Sequence, residues 1–181
     1  MPLTGFDDHK LLLFDLDGTL VEKFTANPLP GVVNFFSQLK ETRNPTPRLA
    51  ICTNQGGVGL RYWMEKEGFG EPEKYPTAYD FHNRMSSVMA VLGLETCVPY
   101  YFSYRYLTKN GKWGPAPSRA SSPWSRLYRK PNPGMLIHAM IHHDALPSET
   151  LMVGDSDDDR QAAILARCEF MRAQDFFSAW G

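Results

Sequence analysis

Cysteine is scarce in this chain. Cys52, Cys97 and Cys168 are an odd number without framework spacing, which excludes a disulfide scaffold and favours reduced thiols in a cytoplasmic setting. Long apolar runs are missing too. None approaches the roughly 18 residues that span a bilayer, so no membrane helix is expected. The opening MPLTGFDDHK has neither a basic start nor an apolar core, so no secretory signal is expected. There are no internal repeats. Acidic residues are absent between positions 96 and 143, where Arg105, Lys109, Lys112, Arg119, Arg126, Arg129 and Lys130 all fall. A formal net charge of -1 therefore hides one basic segment.

What is present is ordinary for a globular protein. With 181 residues, 43% hydrophobic and 22% charged, the chain suits one domain over 1–181 with a sizeable core. A monomer is expected. Apolar runs at 11–14, 48–53, 97–104, 150–154 and 168–171 predict buried strands. Helical spacing predicts helices over 31–40, 76–94 and 133–146, with Met85 and Met89 on a core face. Strands alternating with helices imply an α/β fold with a mainly parallel sheet covered on both sides. Segments 68–76 and 108–125, rich in Gly and Pro, read as inserted loops.

Three strands end in polar clusters: DLDGT, TNQGG and GDSDDD. Alone, Asp17-Gly18 could be a turn where a core strand meets solvent. Ligands of open α/β sheets, however, bind outside the carboxyl ends of the strands. Asp15 and Asp17, two apart, can reach one site, and Asp155 would add a third carboxylate from a neighbouring strand. Three converging acids repel and raise one another's pKa values unless a cation intervenes. Mg²⁺ suits such a set better than Zn²⁺ because no soft ligand accompanies it. One acid can then attack as a nucleophile while another moves a proton. CTNQGG offers the Thr53 hydroxyl and glycine-freed N–H groups, and YRKPNPG offers Arg129 and Lys130 before a helix.

FDLDGTL, CTNQGG, RKPNPGML and VGDSDDD, in that order, resemble the four motifs of the haloacid dehalogenase superfamily of phosphohydrolases. The TNQ and K-P-x-P-G-M strings are most similar to its branch of histidinol-phosphate, heptose-bisphosphate and polynucleotide 3'-phosphatases. The resemblance implies a Rossmann-like three-layer sandwich with little or no cap domain. It implies Asp15 as nucleophile, Asp17 as general acid and base with its carbonyl on Mg²⁺, and Asp155 as a metal ligand. Asp159 becomes a supporting acid, Thr53 and Asn54 bind the phosphoryl group, and Lys130 neutralises it. Two features depart from the branch. No histidine lies between Cys97 and Lys130, so the zinc loop of its bacterial sugar- and histidinol-phosphatases is not expected. Leu60 stands where the branch tends to have an arginine, and Arg61 follows it.

Other signals are weaker. His142-His143 suits a helix C-terminus better than a metal. Cys52 lies in a strand and is expected to be buried. Asp157 and Asp158 read as a solvated helix start. The segment from Tyr100 to Tyr128 interleaves aromatic and basic residues, as a single-strand binding surface does. Arg129, Lys109, Lys112 and Trp113 are its candidate substrate contacts. Its aromatics can equally be strand core beside a basic lip for any phosphorylated substrate. The substrate is thus expected to be a nucleic-acid end, with a sugar bisphosphate or histidinol phosphate as the alternative. A binding module that kept the fold without the chemistry is the alternative of another class.

Overall fold

A computed structural model of the chain describes residues 8–42, 47–94, 98–119 and 121–180. Cys97, where the third expected strand begins, lies outside the described residues. Strands β1 (Leu11–Phe14), β2 (Arg48–Asn54), β3 (Tyr100–Ser103), β4 (Thr150–Gly154) and β5 (Glu169–Arg172) form one sheet. Its order is β3-β2-β1-β4-β5 and every pairing is parallel. Helices α1 (Val32–Thr42), α2 (Gly56–Glu67), α3 (Ala78–Val91), α4 (Gly134–His142), α5 (Asp157–Ala166) and α6 (Ala173–Phe177) complete it.

The continuous apolar run of β1 follows from burial on both faces. Leu12 and Phe14 pack with Phe35 and Phe36 of α1, Met85 and Val88 of α3, and Phe176 and Phe177 of α6. Leu11 and Leu13 point the other way, onto Met135 and Leu136 of α4 and Ala162 and Ala163 of α5. The alternation along one strand thus makes three layers. Phe14 meets Phe36 and Phe176 edge-on, at 5.6 and 5.7 Å between centroids. Such pairs add about 0.5–1.5 kcal/mol each beyond area burial.

The differences from the sequence reading have local causes. Helix α2 carries three glycines in GGVGLRYWMEKE, so its propensity is poor and its pattern faint. The five-residue α6 is too short to show a period. The expected helix over 133–146 stops at His142, because Asp144 turns left-handed at φ 49° and Pro147 opens a new turn. His142 and His143 do sit at that helix end, with His142 Nδ1 bonded to the Tyr101 hydroxyl. Segment 68–76 holds a 3₁₀ turn, Pro72–Lys74, packed on α2. Around 108–125, Leu107 bridges to Trp113 in a small hairpin and Ser122–Trp124 forms another 3₁₀ turn. Among the described residues, no helix is long and apolar enough to cross a membrane.

Candidate active site

The chain runs from β1 to β2 to β3 in one direction, then returns to place β4 on the other side of β1. That reversal opens a crevice at the carboxyl ends of β1 and β4. Asp15 directly follows β1 and Asp155 directly follows β4. With Asp159 they bring carboxylate oxygens within 4.8 Å of one another. Among the described residues this is the one group of three or more His, Cys, Asp or Glu that could hold a metal. Gly18 makes the approach possible: at φ 89° its absent Cβ would lie 2.3 Å from Asp155 Oδ2. Ser156 caps α5 reciprocally with Asp159, which fixes that carboxylate at the helix start. Asp157 and Asp158 stay exposed in the first turn.

Lys130, 2% exposed, organises the acids. Its Nζ donates to Asp15 Oδ1 at 2.7 Å, Asp159 Oδ1 at 2.5 Å and the Cys52 carbonyl at 2.7 Å. All three ammonium protons are therefore used. Burial opposes the charge, but the two carboxylates outweigh it and hold the Lys130 pKa above its usual value. Asp159 is held low, since its bonds to Lys130 and Ser156 overcome the cost of burial. Asp15 is left with the excess charge. Burial pushes its carboxyl up to about 7, with Asp159 adding to the rise and Lys130 pulling against it. Three carboxylates with one ammonium carry a double negative charge, which a divalent cation would neutralise. The donors are hard oxygens, as Mg²⁺ prefers. Asp155 is only loosely engaged elsewhere, with Lys23 Nζ at 3.7 Å.

Asp17 is held separately. Arg84 of α3 grips it with both nitrogens, at 2.6 and 2.9 Å, and Gln55 Nε2 donates to it at 2.9 Å. The Phe24 N–H adds a fourth bond at 2.8 Å. Burial works to raise the Asp17 carboxyl, but these donors together hold it below the usual carboxylate range. Gln55 also donates to Thr53 Oγ1 and accepts from Arg84, which links Thr53 to Asp17.

A family model described as HAD-hydrolase-like matches residues 127–171, the stretch that carries Lys130, Asp155 and Asp159. D,D-heptose 1,7-bisphosphate phosphatase from B. bronchiseptica, complexed with magnesium and phosphate, is 20% identical with a TM-score of 0.60. The match covers 89% of this chain and 78% of that one. The fold is haloacid dehalogenase-like. A protein from Mesorhizobium loti described as a HAD-like phosphatase is 18% identical, also with a TM-score of 0.60. That match covers 94% of this chain and 85% of the other. No curated protein matches the sequence.

Within this haloacid dehalogenase-like fold, some side chains stand apart from their expected places. The Asn54 side chain is occupied in clamping the Lys130 backbone, accepting from its N–H at 3.0 Å and donating to its carbonyl at 2.9 Å. The Asp17 carboxylate lies outside the three-acid cluster. Arg129 donates to the Arg105 carbonyl at 3.0 Å. Arg61 is tied to Glu65 and to the Tyr75 carbonyl. Cys52 is buried, as its place in a strand predicts, and burial pushes its thiol far up. Lys109 sits exposed at the hairpin tip. Tyr101 and Tyr104 belong to the core, while Lys112 and Trp113 line a separate cavity. Two residues given no role from sequence, Gln55 and Arg84, hold Asp17. Gln55 lies inside the TNQ string, but Arg84 has no local signature.

A cleft of about 760 Å³ opens beside Asn54, Gln55 and Arg84, with Phe24, Tyr75 and Tyr106 among its walls. Phe24 is 84% exposed and left-handed at φ 65°, a conformation costly for an aromatic residue. Its N–H bond to Asp17 ties that strain to the site.

Proposed function

We propose that this chain hydrolyses phosphomonoesters through a phosphoryl group carried on Asp15, with Mg²⁺ as cofactor and a nucleic-acid 3' end as substrate. The observation that carries the chemistry is Lys130 bridging Asp15 and Asp159, with Asp155 within 4.8 Å, at the carboxyl ends of β1 and β4. Asp15, the Asp17 carbonyl and Asp155 would hold the metal, and Asp159 supports it through Lys130. Bound there, Mg²⁺ supplies positive charge that keeps Asp15 ionised at neutral pH and offsets the phosphoryl oxygens.

In the first half-reaction an Asp15 oxygen attacks phosphorus and the bond to the leaving oxygen breaks. Asp17 gives that oxygen its proton. In the second, Asp17 takes a proton from water, whose oxygen attacks the same phosphorus. Inorganic phosphate leaves and the Asp15 carboxylate returns. Lys130 holds Asp15 in place throughout, while the Thr53 hydroxyl, which accepts from Gln55, would bind the phosphoryl group.

Phe24, Tyr75 and Tyr106 around the cleft favour a leaving group with an aromatic base. A small metabolite such as a sugar bisphosphate is supported by likeness of fold to the heptose-bisphosphate enzyme. An inert binding module would have no use for this complete set of acids. The test is a panel of an aryl phosphate, 3'- and 5'-phosphorylated oligonucleotides, a sugar bisphosphate and histidinol phosphate, with and without Mg²⁺. Mg²⁺-dependent turnover, lost in Asp15→Asn and highest on the 3'-phosphorylated strand, supports the reading. Preference for either metabolite refutes the substrate, and activity in Asp15→Asn refutes the mechanism.

A further inference from the structure

A second cavity, of about 480 Å³, lies between α2 and the hairpin, lined by Trp63, Glu67, Arg105, Lys112, Trp113 and Arg126. The guanidinium groups of Arg105 and Arg126 lie 5.5 and 5.4 Å from the centre of the Trp113 ring. Lys112 Nζ lies 5.3 Å from the centre of the Trp63 ring. The tryptophans thus serve as platforms for cations. A base stacking on Trp113 would have to displace them.

Arg105 is 5% exposed, and its Nε is buried without a hydrogen-bond partner. Burial lowers its pKa, and the neighbouring Arg126 charge lowers it further. No ion pair relieves Arg105 among the described residues, and Glu67, the cavity's one carboxylate, is exposed at the rim. A buried cation without a counter-charge is costly. An anion with several acceptor oxygens, such as a phosphate, would satisfy both guanidiniums.

The cavity's position says which phosphate. Gly56, Gly57 and Leu60 line the cleft, while Trp63 and Glu67 line the second cavity. Gly56, Leu60, Trp63 and Glu67 share one face of α2. At 1.5 Å per residue, the middles of the two sets are offset by about 11 Å along the helix. At 3.4 Å or more per nucleotide, that span takes up to about three nucleotides of a strand. We propose that this cavity is a second phosphate site, holding an internal phosphodiester of the strand whose terminal phosphate is hydrolysed at Asp15. The proposal rests on the strand-end reading above.

The test compares the wild type with Arg126→Gln, which removes an exposed side chain. Substrates are a 3'-phosphorylated dinucleotide and an otherwise matched octanucleotide. The wild type should prefer the octamer in kcat/KM. Arg126→Gln should reduce that preference about tenfold and lessen the salt slope for octamer binding by about 0.7, one phosphate contact. Arg119→Gln, in the same basic segment but outside the cavity, should keep the wild-type preference. An unchanged preference in Arg126→Gln overturns the proposal, as does an equal loss in Arg119→Gln. A wild type that cleaves neither oligonucleotide, yet turns over an aryl phosphate, overturns the strand-end reading itself.

Discussion

The acid-lined crevice and the cation–aromatic cavity both gather charge, but by opposite means. In the crevice, Lys130 is buried against two carboxylates and a carbonyl, and each bond is short and local to a strand end. In the cavity, Arg105 is buried with no carboxylate partner among the described residues, and its neighbours there are another cation and an indole ring. The first arrangement is almost satisfied within the chain, and a divalent ion would complete it. The second leaves its counter-charge to a ligand. Internal pairing fixes geometry for chemistry; unpaired cations make a surface for recognition.

The sharpest way to break this contrast is to remove the internal pairing. Lys130→Met should leave Asp15 and Asp159 as buried, uncompensated carboxylates and cost about 3–5 kcal/mol of unfolding free energy. Urea denaturation measures it, and Mg²⁺ should recover part of the loss. A cost below about 1 kcal/mol would mean that the acids find other partners or water.

The same imbalance predicts a pH dependence. Asp15 has its pKa raised from 3.8 to about 7 in the folded chain. Between those values the native state binds a proton that the unfolded chain releases, so stability falls as pH rises. With EDTA present, wild-type Tm relative to Asp15→Asn should decline from pH 4 to pH 7. A flat or rising difference would mean that Lys130 keeps Asp15 ionised throughout.

A smaller effect is expected at Arg84. It helps hold Asp17 low, which disfavours the protonated acid needed by poor leaving groups. Arg84→Gln should raise the Asp17 pKa, and with it the ratio of alkyl to aryl phosphate turnover at pH 7, by a few-fold. The ratio cancels losses in binding common to both substrates. An unchanged ratio would mean that Arg84 leaves Asp17 once substrate binds.

What the sequence shows of the two regions differs for the same physical reason. Asp15, Thr53 and Asp155 were legible because each stands at the end of an apolar strand, where parallel-sheet geometry sends side chains to one crevice. The β1 run itself announced a strand buried on both faces. Arg84 was not legible: it reaches Asp17 from the middle of α3, and only tertiary packing decides which polar residue of a helix faces the crevice. Asn54 sits in a recognisable string, yet its amide braces Lys130, which spacing alone does not reveal. The second cavity joins Trp63 to Trp113 and Arg126 across three segments, one of them the faint glycine-rich α2. The basic segment was visible; its division between core tyrosines and a cation platform was not.

Asp17→Asn offers the most direct view of a phosphoryl group carried on Asp15. An aryl phosphate needs little protonation to leave, so this variant should still be phosphorylated, while lacking the base that activates water for the second step. Acid quenching during Mg²⁺-dependent turnover, followed by peptide mass mapping, should then find one phosphoryl group on Asp15. Continued release of inorganic phosphate with no phosphoryl group on Asp15, or with the group on another residue, would contradict the account.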